Sequence, residues 1–128
     1  MGNRVKLTIW GSLPSLNEYT AACRSNPRHG NQMKKEAEQI VTAYAYKTLK
    51  RWRASGPVFM AYTWFEKNKR RDKDNIAFGR NFIQDALVKA GYLKDDGWDE
   101  VVGFSDSFQV DKKEPRIEVI IEEVNDEK

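Results

Sequence analysis

Two aspartates stand inside a run of basic residues near the middle of the chain. Residues 67–74 read Lys-Asn-Lys-Arg-Arg-Asp-Lys-Asp, so Asp72 and Asp74 are two positions apart. In an extended segment such side chains point to the same side, and their hard oxygen atoms are ligands that Mg²⁺ prefers. Divalent ions held by carboxylates activate water and stabilise negative charge when a phosphodiester is hydrolysed. The adjacent cations would neutralise phosphates, so the pattern indicates a metal site that faces a polyanion.

A second acidic pair, Asp95-Asp96, follows the next predicted helix. That helix spans roughly 16 residues, or ~24 Å at 1.5 Å per residue, so the two acidic clusters share a metal only under one of two conditions. Either the segment after Gly91 folds back along the helix, or a partner chain contributes one cluster. Two simpler interpretations stay open: Asp74 or Asn75 caps the helix, and residues 95–97 form an ordinary turn.

The hydrophobic pattern predicts the elements that position these residues. Val5, Leu7 and Ile9 alternate with polar residues, which is typical of a half-buried strand. Residues 11–31 show no clear period and are expected to form a long loop. Later apolar residues repeat at helical spacing, and Gly91 is placed as a helix C-cap glycine. The predicted strands are residues 4–10, 58–65, 101–110 and 116–124, and the predicted helices are residues 31–53 and 75–90.

The order of these elements, β-α-β-α-β-β, predicts one α+β domain over residues 1–128, with two helices packed on a mixed β-sheet. Residues 58–65 are apolar on both faces. Such a strand is central and covered on both sides, or it is covered once and used at an interface. No internal repeat or low-complexity linker divides the chain, and 128 residues suffice for one packed core.

Composition excludes several classes of protein. The single cysteine, Cys23, excludes an internal disulfide and a multi-cysteine zinc site. No apolar run approaches the ~20 residues that cross a bilayer, and the first residues lack the apolar stretch of a signal peptide, so a cytosolic protein is expected. Residues 1–90 hold 17 Lys and Arg against 7 Asp and Glu, whereas residues 91–128 hold 5 against 12. This asymmetry suggests that one surface meets a polyanion, although charges also lie wherever solvent is.

The order of the motifs resembles that of the RusA-type Holliday junction resolvases of bacteria and their phages. Arg-Arg-Asp-Lys-Asp-Asn at residues 70–75 is followed by Asp-Ala-Leu-Val-Lys-Ala-Gly at residues 85–91 and by Leu-Lys-Asp-Asp at residues 93–96. The earlier Pro-Ser-Leu-Asn at residues 14–17 is similar to that family's Pro-Ser-x-Asn segment. The match covers most of the chain in the same order, and its central segment is fairly specific.

The resemblance implies a RusA-like fold, a homodimer, and paired Mg²⁺-dependent nicks in four-way DNA junctions during recombination and repair, with Mn²⁺ as a substitute metal. It also implies that the acidic clusters come together. Asp72, Asp74 and Asp96 match the family's essential carboxylates, and Asp95 is expected as a further metal ligand. The partners implied are branched DNA and a second copy of the chain, with no membrane. DNA-binding roles are expected for Asn17, Lys67, Lys69, Arg70, Arg71, Lys73 and Arg80.

One departure from the family pattern bears on catalysis. The family carries a lysine on the second helix, four residues before the aspartate of Asp-Ala-Leu, and here that position is Asn81, with Arg80 beside it. The spacing from Asp74 to Asp85 is also longer than in the best-known members. Arginine can hold a phosphate, but its pKa is too high for it to transfer a proton. The alternative hypotheses are therefore a non-catalytic DNA-binding protein of the same fold and a structural domain with no DNA role.

Overall fold

The chain folds into a mixed four-stranded sheet with helices packed against it. The computed structural model describes residues 4–124, and no helix in that range is long and apolar enough to cross a membrane. The strands are β1 (Arg4–Trp10), β2 (Val58–Glu66), β3 (Val101–Val110) and β4 (Arg116–Glu123). The helices are α1 (Leu16–Ser25), α2 (Pro27–Thr48), α3 (Lys73–Ala77) and α4 (Gly79–Lys89).

The strands lie in the order β1-β4-β2-β3. β4 runs antiparallel to both of its neighbours, whereas β2 and β3 are parallel and are joined through α3 and α4. The predicted α+β class and mixed sheet are confirmed, and each strand lies within one residue of its predicted ends. The polar turn at residues 111–115 returns the chain past β2, so β3 and β4 are not neighbours in the sheet.

One face of the sheet carries the core. Alternate residues of β2, from Val58 to Trp64, are at most 1% exposed, while the residues between them are only half-buried. Of the two interpretations of this strand, coverage on one face is therefore the correct one. Helices α2 and α4 pack together, and α2 also packs on β1. The helical core residues are Ala37, Val41, Ala45, Phe82, Ile83, Ala86 and Leu87.

The expectation of an irregular segment over residues 11–31 is wrong, because α1 lies within it and α2 already begins at Pro27. No residue of α1 is buried, but its half-buried Tyr19 packs on Phe78 and Phe82. The start of α1 is encoded by a capping box, in which Ser15 and Glu18 each accept from the other's backbone N–H. The predicted end of the first helix at residue 53 is also wrong, since α2 ends at Thr48 and Lys50 adopts a φ of 57°.

The predicted helix over residues 75–90 is divided at Phe78 into α3 and α4. With the additional helix α1, the described residues hold four helices instead of the expected two. Gly79, the first residue of α4, lies directly against the indole ring of Trp64. The predicted C-cap glycine is confirmed, because Gly91 follows the C-cap residue Ala90 with a φ of 86°. This positive φ ends α4 and turns the chain toward the second acidic pair.

The contact between Gly79 and Trp64 predicts a stability effect. A Cβ at Gly79 would lie 3.1 Å from the ring of Trp64, which is 1% exposed, stacks on Tyr62 and donates to Asp106. Because the ring cannot move aside, Gly79→Ala is expected to lower the free energy of unfolding by about 1–3 kcal/mol through overpacking. Urea denaturation measures this, with Gly56→Ala as the matched control because its Cβ meets no atom within 4 Å. Equal stability of the two variants would contradict the proposed constraint.

Candidate active site

An open cleft of about 610 Å³ lies at one edge of the sheet, where β2 and β3 end. Because the two strands are parallel, their carboxyl ends lie at the same edge. The segment after β2 forms one wall, and the last residues of β3 form the other. The cleft contains both aspartates of the central motif, and its principal lining residues are Glu66, Lys69, Asp72, Lys73, Asp74, Phe108 and Val110.

The carboxylates of Asp72 and Asp74 are exposed and make few hydrogen bonds with the rest of the protein. Asp72 occupies the N-cap position of α3, but its side chain makes no capping hydrogen bond. Asp74 lies in the first turn and accepts only from the backbone N–H of Asn75, at 3.0 Å. The interpretation that Asp74 or Asn75 caps this helix is therefore wrong. Within residues 4–124 neither aspartate has an ion-pair partner within 4.0 Å.

Arg71, which precedes these carboxylates, is held on several sides. Its guanidinium donates to both carboxylate oxygens of Glu66, at 3.1 and 2.9 Å, and to the carbonyl oxygen of Leu13 at 3.0 Å. Glu18 lies 3.6 Å away. Bidentate pairing of this kind fixes a guanidinium in one orientation. Arg71 therefore ties the end of β2 to the segment before α1, and it offers less charge to solvent than a free arginine would.

Asn17 contacts the motif at residues 70–75 through its backbone. The backbone N–H of Asn17 donates to the side-chain oxygen of Asn75 at 2.9 Å. Together with the contacts of Arg71, this bond brings the segment at residues 13–18 against the segment at residues 66–75. Two of the four segments that carry the resemblance, residues 14–17 and 70–75, are far apart in sequence, and the structure places them side by side.

The other predicted DNA-binding cations divide into two groups. Lys67, Lys69 and Arg70 are exposed, Lys73 lies 5.8 Å above the ring of Phe108, and none of the four has an ion-pair partner among the described residues. Arg80 differs, because it forms a salt bridge with Asp106 and lies 4.3 Å from the Phe104 ring centre. The site's available positive charge therefore comes from residues 67–73.

At the family's lysine position, Asn81 donates its side-chain amide to the carbonyl oxygen of Phe78 at 3.1 Å. The bond stays within one helical turn, and Asn81 carries no charge. With Arg80 paired to Asp106, α4 supplies neither a lysine nor an unpaired cation at this position. The departure noted in the sequence therefore persists in three dimensions.

Asp95 and Asp96 do not join Asp72 and Asp74 in one chain. Asp95 lines a separate cavity with residues 54–57, at the edge of the sheet where β2 begins, and its side chain accepts from the backbone N–H of Asp96. Asp96 lies beside Asp85 of α4. Burial raises the pKa of Asp96 above its usual range, and the nearby carboxylates of Asp85 and Asp95 raise it further.

No group of three or more metal-ligating His, Cys, Asp or Glu side chains comes together within residues 4–124. The expected set of Asp72, Asp74, Asp95 and Asp96 is thus divided between two places. Two carboxylates still fit Mg²⁺, because this ion usually keeps several waters and is held by one or two carboxylates plus substrate phosphates. The open cleft around Asp72 and Asp74 leaves room for such a phosphate.

Two residues that position the arginines of the site were not predicted from the sequence. Glu66 ends the apolar strand β2 and receives Arg71, while Asp106 on β3 receives both Arg80 and the indole N–H of Trp64, the latter at 2.8 Å. Glu66 is an ordinary acidic end to an apolar strand, so nothing in the local pattern marked it as the partner of Arg71. Asp106 had no local signal, because its partners lie 26 and 42 positions away.

No protein-family model matches this sequence, and comparison with curated proteins also gave no match.

The contacts of Arg71 predict that its shape matters as well as its charge. Arg71→Lys keeps the charge but removes the bidentate fork to Glu66 and the bond to Leu13, so the free energy of unfolding is expected to fall by about 1–3 kcal/mol. Arg70→Lys is the matched control, because Arg70 is exposed and has no ion pair within the described range. Urea denaturation of both variants measures the difference. If Arg71→Lys is no less stable than Arg70→Lys, the guanidinium does not hold these segments together.

The raised pKa of Asp96 predicts a pH-dependent effect on stability. A carboxyl whose pKa is higher in the folded state stabilises the fold when protonated, and this contribution is lost as the pH rises through the raised pKa. Asp96→Asn is therefore expected to increase the thermal midpoint at pH 7, with a difference that shrinks below about pH 4. A thermal midpoint that is unchanged or lower at pH 7 would contradict repulsion among Asp85, Asp95 and Asp96.

Proposed function

We propose that this protein is a Mg²⁺-dependent, structure-selective DNA endonuclease that resolves four-way junctions by paired nicks in recombination and repair. The proposal includes a homodimer and a cytoplasmic location. One observation carries it: Asp72 and Asp74, which have no ion-pair partner within residues 4–124, line a cleft together with Lys69 and Lys73. Lys67 and Arg70 line the cavity next to it, beside residues 11–14. The motif resemblance supplies the junction as the substrate.

The proposed roles follow from which side chains of the site are already bound to other residues of the protein and which are not. Lys67, Lys69, Arg70 and Lys73 bind the phosphates of the DNA backbone, because the described structure gives them no ion-pair partner. Arg71 acts as a positioning residue, since Glu66 and Leu13 hold its guanidinium. Asn17 is placed by Asn75 at the border of the same surface.

Asp72 and Asp74 are the residues that would hold Mg²⁺ in the cleft. Asp95 and Asp96, also expected as ligands, lie at the other end of β2, so they would reach this site only from a second copy of the chain. Bound Mg²⁺ supplies positive charge to a scissile phosphate and makes water more acidic. The chain itself orients the phosphate through the basic residues and places both carboxylates in the lining of the cleft. Asp74 lies within α3, so the extended segment expected between the two aspartates is wrong. The open shape of the cleft admits a DNA strand from solvent.

A second candidate function is non-catalytic DNA binding. It is favoured by the separation of the acidic clusters and by Asn81, which stands where the family has a lysine. Both candidates bind DNA through the same cations, so binding does not separate them. Four phosphate contacts predict that log K falls with log[salt] with a slope of about −3.6 for either protein, at about −0.9 per contact.

Cleavage of a labelled synthetic four-way junction, with and without Mg²⁺ and beside a linear duplex, separates the two functions. The wild-type protein is expected to give paired nicks in the junction alone and only with the metal ion. Asp72→Asn and Asp74→Asn are each expected to reduce the rate on the order of 100-fold or more, because charge stabilisation in the transition state is lost. Both variants should still bind the junction.

Glu114→Gln is the control for this experiment, because it removes one negative charge from an exposed residue in the turn between β3 and β4. It should leave the cleavage rate unchanged. Cleavage by Asp72→Asn at the wild-type rate would remove that residue from the site. Tight junction binding without nicks, in both Mg²⁺ and Mn²⁺, would refute the endonuclease and favour the binding protein.

A further inference from the structure

A second cavity, of about 680 Å³, adjoins the cleft, and the proposed function uses only its basic rim. The cavity lies between the segment after β1, one side of α2 and the segment after β2. Glu66, Asn68 and Arg71 line both cavities, so the ion pair of Glu66 and Arg71 is a wall that they share. A group bound in the second cavity is therefore a direct neighbour of a phosphate bound in the cleft.

The floor and sides of the second cavity are mainly apolar. Leu13 and Ala37 are at most 4% exposed and form its floor, whereas Ile40, on α2, is 42% exposed. A concave, mostly apolar site of roughly 300–1,000 Å³ with a few polar groups is the usual form of a small-molecule site. The cavity therefore fits a flat organic group better than it fits a bare phosphate. Its apolar lining residues are Leu13, Pro14, Met33, Ala37, Ile40 and Pro115.

The rim of the second cavity is basic. Two acids of its lining, Glu18 and Glu66, lie within ion-pair distance of Arg71, at 3.6 and 2.9 Å. Lys67 and Arg70 are exposed and have no ion-pair partner among the described residues. Positive charge around an apolar cavity is complementary to a nucleotide, because the flat base of a nucleotide is joined to an anionic backbone.

Two polar side chains of the lining have groups that can bind a ligand. Asn68 uses its side-chain oxygen to accept from the backbone N–H of Arg70 at 3.0 Å, and its amide N–H groups have no acceptor within residues 4–124. Glu36 accepts from the side-chain amide of Gln32 at 2.7 Å through one oxygen, and its other oxygen has no donor in that range. The edge of a nucleobase carries both acceptors and donors. An amide donor and a carboxylate acceptor in the same cavity therefore match such an edge.

We propose that the second cavity binds one unstacked nucleobase of the DNA strand whose phosphate lies in the cleft. The proposal rests on the DNA-binding surface of the function proposed above, and it applies equally to an endonuclease and to a protein that only binds DNA. Met33 and Ile40 contact the faces of the base, and Asn68 donates to its edge. Proteins that hold a base outside the stack use this combination of apolar contacts and hydrogen bonds.

The second cavity gives a physical reason for preferring branched DNA. Taking a base out of a stack costs free energy, and the cost is smallest where pairing or stacking is already disturbed. The branch point of a four-way junction interrupts stacking, whereas every internal base of a linear duplex has a stacked neighbour on each side. A cavity that takes an unstacked base therefore favours the junction, while the cations alone bind either kind of DNA.

The base analogue 2-aminopurine tests the cavity without any cleavage assay, because its fluorescence is quenched in a stack and rises when the base leaves it. Junctions that carry the analogue singly, at successive positions around the branch point, are mixed with the wild-type protein in the absence of divalent metal. The fluorescence is expected to rise severalfold at one position, and at none in a linear duplex. A protein that binds the junction while no position brightens would overturn the proposal.

Ile40→Gln tests the apolar side of the cavity, since glutamine is uncharged and also favours helices. It is expected to remove most of the fluorescence rise and to weaken junction binding about 10-fold, because even one methylene in a hydrophobic pocket is worth about that factor. Tyr46→Gln is the matched control, since Tyr46 is an exposed residue of the same helix and lines a cavity that shares no residue with this one. Equal effects of the two variants would refute the assigned role of Ile40.

An abasic nucleotide at the brightening position separates base binding from any general effect of the substitution. Once the base is absent, Ile40 has nothing to contact, so wild-type protein and Ile40→Gln should bind the abasic junction equally, to within about twofold. If Ile40→Gln weakens binding to the intact and the abasic junction by the same factor, the side chain acts elsewhere and the cavity does not hold a base.

These outcomes also separate the cavity from the endonuclease function. If the wild-type protein brightens the analogue but does not cut the junction in Mg²⁺, the endonuclease function fails and the base-binding cavity stands. If the protein cuts the junction and no position brightens, the cavity has no such role and the endonuclease function stands. A protein that binds no DNA would refute both.

Discussion

The pairing of Arg71 with Glu66 is the interaction on which the site depends. Glu66 ends β2, so its carboxylate is placed by the central strand of the sheet, and Arg71 is bound to it through two parallel hydrogen bonds. The third bond, to the carbonyl oxygen of Leu13, adds the segment before α1. Asp72 follows Arg71 directly, so the sheet also fixes the position of the Asp72 backbone. Arg71 thus fixes the position of the carboxylates beside it, while the neighbouring lysines and Arg70 contribute the positive charge.

The parallel pairing of β2 and β3 sets a second constraint. Parallel strands place both carboxyl ends at one edge and both beginnings at the other, and the connection through α3 and α4 must span that distance. The residues after β2 and those before β3 therefore lie at opposite edges of the sheet. Gly91 turns the chain after α4, but Asp96 reaches only as far as Asp85 on that helix. Distance, rather than chemistry, divides the carboxylates.

The sequence predicted the elements that hydrophobic periodicity encodes. It did not predict the helix that begins at a capping box or the ion pairs between residues far apart in the sequence. The strand boundaries followed from alternation, and the class of the sheet followed from the order of elements. Helix α1 was missed because its few apolar residues stand among the Gly, Ser, Pro and Asn of residues 11–31, although its capping box at Ser15 and Glu18 was visible. Asp72 and Asp74 were found because carboxylates within a basic run are conspicuous.

The ion pairs of Arg71 and Arg80 were not predictable, because the local sequence pattern does not distinguish the acidic residue that binds each arginine. Glu66 looks like an ordinary end to an apolar strand, and Asp106 is the one acid in a strand of otherwise uncharged residues. Only the folded chain places these acids beside their arginines. Counting cations in the sequence therefore overestimates the charge offered to DNA, since two of the predicted cations are neutralised within the domain.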